Sequence, residues 1–178
     1  MASLRTVAVF ADNGTTAHAA LYGEVGEWLA RRGALIVVVT DKGSAPAHLV
    51  AGALRAGGEV LMIGREDDAI KAPLEGARIE RVQTRAEALA MAARDAQALI
   101  GLPGRLDSAA DLHAAWISAG GAASGKPVGL LNRKRAFEVV RGFIGDVASV
   151  GLGRGTDDLV QFSDTIEDLW TRLSRLKG

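Results

Sequence analysis

One stretch, residues 98–132, constrains the fold of this chain more than any other: ALIGLPGRLDSAADLHAAWISAGGAASGKPVGLLN. A short apolar run, residues 98–102, stops at Pro103-Gly104; an amphipathic run follows, and a second apolar run closes the stretch at residues 128–131. Apolar runs of this length bounded by turn residues suit buried strands, and Ser108 followed three residues later by Asp111 signs a helix start. The pattern predicts strand, loop, helix, strand. The loop at 103–107 then sits at the carboxyl end of a parallel strand and at a helix amino terminus, where open α/β sheets bind ligands and unpaired N–H groups face outward.

The same alternation runs through the rest of the chain. Residues 6–10, 34–40 and 60–63 read as buried strands, the first two closed by the turn-prone Asp12-Asn13-Gly14 and Asp41-Lys42-Gly43-Ser44. Residues 78–82 alternate like a short strand nearer an edge, and 159–162 end the series. Leu21, Val25, Trp28 and Leu29 stand at helical spacing before Arg31-Arg32-Gly33, while Leu49, Val50, Ala53 and Leu54 carry a helix from Pro46 to Gly57-Gly58. Thr84 with Glu87 and Thr165 with Asp168 repeat the capping pattern, the second ahead of an apolar face of Ile166, Leu169, Trp170, Leu173 and Leu176. Residues 64–77 are charged and unpatterned and read as a surface loop; 137–144 read as a helix before the glycine-rich 150–155. Strands alternating with helices predict an α/β fold: a doubly wound, Rossmann-like, mainly parallel sheet flanked by helices, as a single domain over 1–178.

Composition narrows the functional classes. Basic and acidic residues balance at 21 each, so charge argues for neither a nucleic-acid nor a membrane partner. The chain has no cysteine, which excludes disulfides, a thiol nucleophile and thiolate metal sites. His18, His48 and His113 lack ligand spacing, so no metal and no cofactor is expected. No apolar run approaches the ~18 residues of a membrane span, and the first residues lead directly into a strand, so a soluble cytoplasmic protein is expected. GGAASGK at 120–126 fits GxxxxGK, but it runs from helix into strand and Pro127 stands where a P-loop has its magnesium-binding hydroxyl. It is therefore not a phosphate loop.

At the 98–132 stretch the chain resembles the LONELY GUY (LOG) family of phosphoribohydrolases. LPG at 102–104, Trp116 on the following helix and KPVGLLN at 126–132 look like that family's LPGGxGTxxE, helix tryptophan and KPVGLLN strand. VAVFADN at 7–13 resembles its opening VFCGSS strand, and Ala56-Gly57-Gly58-Glu59-Val60 its AGGxV step. The resemblance implies binding of a nucleoside 5′-monophosphate or sugar phosphate by a homodimer, with hydrolysis of the N-glycosidic bond to free base and ribose 5-phosphate as the inherited reaction. In this role Asp111 and Arg85 are the candidate catalytic residues. Gly104, Arg105, Asp107, Ser108 and Ala109, with Asp12, Asn13, Gly14 and Gly43, are the candidate ligand contacts.

The motif has also drifted. Arg105 and Asp107 stand where the family has glycines, Ser108 where it has threonine and Asp111 where it has glutamate; its arginine-lysine pair falls at Ala88 and Leu89, leaving Arg85 one turn earlier as the nearest substitute. Glutamate to aspartate withdraws a carboxylate by about 1.5 Å, and a misplacement of ~1 Å can cost ~100-fold in rate. Asp107 brings a negative charge to the phosphate position, which Arg105 offsets or replaces by gripping phosphate itself. The alternative expectation is a catalytically inactive nucleotide-binding or carrier module.

Overall fold

The computed structural model describes residues 4–70, 75–142 and 156–177. Seven strands form one sheet: β1 (Thr6–Phe10), β2 (Leu35–Val39), β3 (Glu59–Arg65), β4 (Arg78–Val82), β5 (Ala98–Gly101), β6 (Val128–Leu131) and β7 (Val160–Ser163), in the order β4-β3-β2-β1-β5-β6-β7. Every neighbouring pair is parallel. The α-helices with full bounds among the described residues are α1 (Ala19–Arg31), α2 (Ala47–Arg55), α3 (Arg85–Asp95), α4 (Leu106–Ser118), the single turn α5 (Thr156–Leu159) and α6 (Ile166–Lys177), with a further helical stretch at 138–142. The expected doubly wound parallel sheet is the one observed.

Continuous apolar runs form these strands because both faces are covered. Val7 and Val9 join one core with Tyr22, Leu29, Leu49 and Leu169, whereas Ala8 and Phe10 join the opposite core with Leu89, Ala92, Leu112 and Ala115. Helices α1, α2 and α6 therefore cover one face, and α3 and α4 the other. Between α1 and α2 the backbones nearly touch: a Cβ on Gly26 would lie 2.1 Å from the Leu49 carbonyl oxygen, and one on Gly52 2.2 Å from that of Gly23. Trp28 of α1 meets Trp170 of α6 edge-on, with ring centroids 5.8 Å apart.

Several local expectations need correction. β3 runs two residues beyond Ile63, because Gly64 and Arg65 pair with Arg81 and Val82 of the edge strand β4. Leu176 stays 37% exposed, since α6 rests on the sheet through Ile166, Leu169, Trp170 and Leu173 alone. The Thr84–Glu87 capping box forms in full, but Ser108 does not begin α4, which starts two residues earlier at Leu106. Residues 138–142 are helical as expected, while 143–144 and the glycine-rich 150–155 lie outside the described residues. The GGAASGK segment does run from α4 into β6, and its Lys126 Nζ donates to the carbonyls of Ala93 and Arg94 at the end of α3. Among the described residues, no helix is long and apolar enough to cross a membrane, and no group of acidic or histidine side chains is arranged to hold a metal ion.

Candidate functional site at the β1 and β5 carboxyl ends

The chain winds outward from β1 to β4 and then returns to the other side of β1 as β5, so the topological switch point lies between β1 and β5. Phe10 pairs with Gly101 at the ends of these strands, which sends the two following loops out side by side and opens a crevice between them. Tyr22 locks the loops together. Its fully buried hydroxyl donates to the Pro103 carbonyl at 2.7 Å and accepts from the Asp12 N–H at 3.0 Å. Burial pushes the phenol above its ordinary ionisation range.

Asp12, only 6% exposed, turns into the start of α4. Its Oδ1 accepts the Arg105 N–H at 2.8 Å and the Ser108 hydroxyl at 3.2 Å. That arrangement explains the misplaced helix start: a carboxylate from β1 binds the first free amide, and the Ser108 side chain acts as a donor, also reaching the Arg105 carbonyl at 2.9 Å. A Cβ on Gly104 would come within 2.6 Å of Asp12 Oδ1, so glycine is required for the loop to pass. The Arg105 guanidinium, mostly in solvent, approaches Asp12 Oδ2 at 3.9 Å. Asp12 thus adds a second negative charge to the helix amino terminus, beside the exposed Asp107 of the first turn of α4.

Arg85, the first residue of α3, is the second organising side chain. It donates to Asp111 Oδ2 at 2.5 Å and to the Thr40 carbonyl at 3.2 Å, and pairs with Asp41 Oδ1 at 3.1 Å. Partial burial raises the Asp111 carboxyl above the usual carboxylate range; Arg85 opposes that shift, and Asp41 and Asp107 add to it. A raised folded-state value means the group favours the fold fully at low pH and withdraws that contribution as pH rises through the folded value. Arg85→Ala leaves the carboxylate unpaired, so the variant's stability deficit is expected to widen from about pH 4 to pH 7 and reach roughly 1 to 2 kcal/mol. Chemical denaturation at the two pH values checks this; a pH-independent deficit would show that Arg85 acts by packing alone.

The crevice has a volume of about 50 Å³ and is lined by Ala11, Asp12, Asn13, Asp41, Arg85, Arg105, Asp107, Ser108 and Asp111. Seven of the residues singled out in the sequence therefore converge, with Gly104 at its rim supplying the close approach. The others stand apart. Gly14 donates its N–H to Ala45 at 3.0 Å and ties the β1 loop to the segment before α2. Gly43 has φ of +76° and no room for a Cβ, which would fall 1.8 Å from the Ala69 carbonyl oxygen; it serves chain packing. Ala109 faces a separate apolar pocket of about 210 Å³, bounded by Leu112, Trp116, Leu130 and Phe137, which shares only Ser108 with the crevice.

Sequence reasoning passed over Asp41 and Tyr22. Asp41 follows β2 just as Asp12 follows β1, so the rule that favours strand carboxyl ends pointed to both. Tyr22 is the sole tyrosine, and a buried phenol requires a hydrogen-bond partner, which was its signal.

Fold and site together define a doubly wound α/β protein with a polar crevice at its switch point. No family model and no curated protein matches the chain. Among solved structures it is similar to the molybdenum cofactor carrier protein of Chlamydomonas reinhardtii, at 15% identity over 97% of this chain and 98% of that one, with a TM-score of 0.67. It is also similar to the molybdenum cofactor binding protein of Rippkaea orientalis, at 14% identity over 98% of both chains and a TM-score of 0.65. The DNA processing protein A of Helicobacter pylori shares 14% identity over 97% of this chain and 81% of that one, at a TM-score of 0.57. Likeness at such identities establishes the Rossmann-like fold. One fold serving proteins so differently named does not select a ligand; the site has to.

Proposed function

We propose that the chain is a small-molecule-binding module of the carrier kind, which holds a nucleoside 5′-monophosphate or related sugar phosphate at the switch-point crevice and releases it unchanged. The observation that carries this reading is the pairing of the two candidate catalytic residues with each other. Asp111 is clamped by Arg85, which is itself held by Asp41 and Thr40, so neither side chain stands free beside a bound sugar. A carrier needs a formed crevice and no reactive group. The full-length likeness to two proteins named for carrying or binding a small cofactor supports the same class.

A second reading, phosphoribohydrolase, is favoured by one observation. The Asp111 carboxyl is raised by burial, as a general acid in a glycosidic cleavage would be. Incubation with AMP and with isopentenyl-adenosine monophosphate separates the two. The carrier reading expects no free base on chromatography, together with a melting shift of roughly 5 to 11 °C at ~100-fold excess over the dissociation constant, equivalent to ~2.7 kcal/mol. Release of base in proportion to protein, abolished by Asp111→Asn, would establish the hydrolase instead. A flat melting response to nucleotides and sugar phosphates would remove the binding role.

A further inference from the structure

We infer that Asp12 is a specificity-determining residue that keeps phosphate off the amino terminus of α4, so that the crevice engages its ligand through hydroxyl or amino hydrogens. This rests on the binding role proposed above and deepens it. A helix start ordinarily offers amides to an anion. Here the Arg105 amide and the Ser108 hydroxyl already donate to a carboxylate that belongs to the chain, is 6% exposed and is held in place through its own N–H by Tyr22. An incoming phosphate would have to displace that carboxylate or sit against it. With like charges a few ångströms apart and little water between them, both are costly.

What the crevice presents instead is acceptors. Four aspartates line it against two arginines, and both arginines are already paired with those aspartates. The Asn13 Oδ1 atom is buried and has no hydrogen-bond partner among the described residues, although it belongs to the same lining. A buried acceptor without a partner is destabilising, and a donor-bearing ligand would recover that cost. The volume of about 50 Å³ is room for the centres of water-sized groups, where one water needs only ~10 to 15 Å³, so a vicinal hydroxyl pair or an amino group fits within it. The phosphate of a nucleotide ligand then lies outside, in solvent or on other residues.

Calorimetric titration with inorganic phosphate, adenosine and AMP tests this on the intact chain. The wild-type protein is expected to bind adenosine and AMP within about threefold of each other and to give no heat with phosphate. Asp12→Ser clears the helix start, and AMP should then bind at least tenfold more tightly than adenosine. Asp12→Asn, which keeps the shape and removes the charge, should shift the ratio toward AMP in the same direction as the serine variant, and serves if that variant does not fold; an unchanged ratio in folded Asp12→Asn would likewise overturn the inference. A tenfold preference of the wild-type protein for AMP over adenosine, lost in Arg105→Ala, would overturn the inference and leave the binding role standing. An unchanged ratio in folded Asp12→Ser would also overturn it. Failure of adenosine and AMP alike to bind the wild-type protein would instead overturn the binding role, and the inference with it.

Discussion

Alanine at position 26 is expected to destabilise the protein by about 2 kcal/mol and to lower its melting temperature by roughly 4 to 8 °C. The added methyl group would sit 2.1 Å from the Leu49 carbonyl oxygen and 3.0 Å from the Ala53 nitrogen. Both are backbone atoms of α2, which cannot rotate aside as a side chain would. The helices must separate, and Val25, Leu29, Leu49 and Val50 lose contact in the core they share. Overpacking of this kind costs ~1 to 3 kcal/mol and sometimes more, while the better helix propensity of alanine returns only ~1. Gly52→Ala meets the Gly23 carbonyl oxygen at 2.2 Å and should behave similarly. Since one displacement relieves both clashes, the double variant should fall short of the sum. Thermal melts of the three variants decide the matter: an unchanged midpoint in Gly26→Ala would mean that the helices do not cross so closely.

Removal of the Tyr22 hydroxyl has the second large effect, and it reaches the site. Phenylalanine leaves the Asp12 N–H without its acceptor and the Pro103 carbonyl without this donor, both in a buried setting. At ~1 to 3 kcal/mol for each of the two unsatisfied groups, Tyr22→Phe should lose about 2 to 6 kcal/mol. It should also weaken AMP binding, because the β1 and β5 loops are no longer pinned to one another. The two readouts together separate this role from simple core packing: a stability loss with unaltered AMP affinity would show that the hydroxyl does not organise the crevice. The pH dependence carries a sign as well. The phenol's folded-state value lies above its ordinary one of ~10. The buried neutral hydroxyl therefore contributes stability that is complete below pH ~10 and is lost as pH rises through the folded value. Tyr22→Phe lacks a titrating group here, so its deficit relative to wild type should shrink in alkali.

Most strands were legible because each buries both faces. TVAVF at 6–10 coincides with β1, buried on both faces; RIERV at 78–82 coincides with β4, an exposed edge strand that was legible from its alternation instead. Thr84 with Glu87 worked because that helix end is open to solvent and is served by its own side chains. Ser108 with Asp111 shows the same spacing and failed. The α4 start abuts β1, and Asp12, 96 residues before Ser108, binds there instead. Asp111 was then free to pair with Arg85, 26 residues away on another helix. Nothing near Gly43 in the sequence signals that residue 69 packs against it.

The sequence by itself determined the period of the main elements, the parallel sheet and the edge at which the crevice opens, because hydrophobic spacing and turn chemistry act over a few residues. Only the tertiary structure decided which carboxylate meets which donor. Asp12, Asp41, Asp107 and Asp111 are chemically alike and all line the crevice at that edge. Their roles differ because the pairing of β1 with β5 sets one of them against a bare amide, while the packing of α3 beside α4 sets others against a single guanidinium.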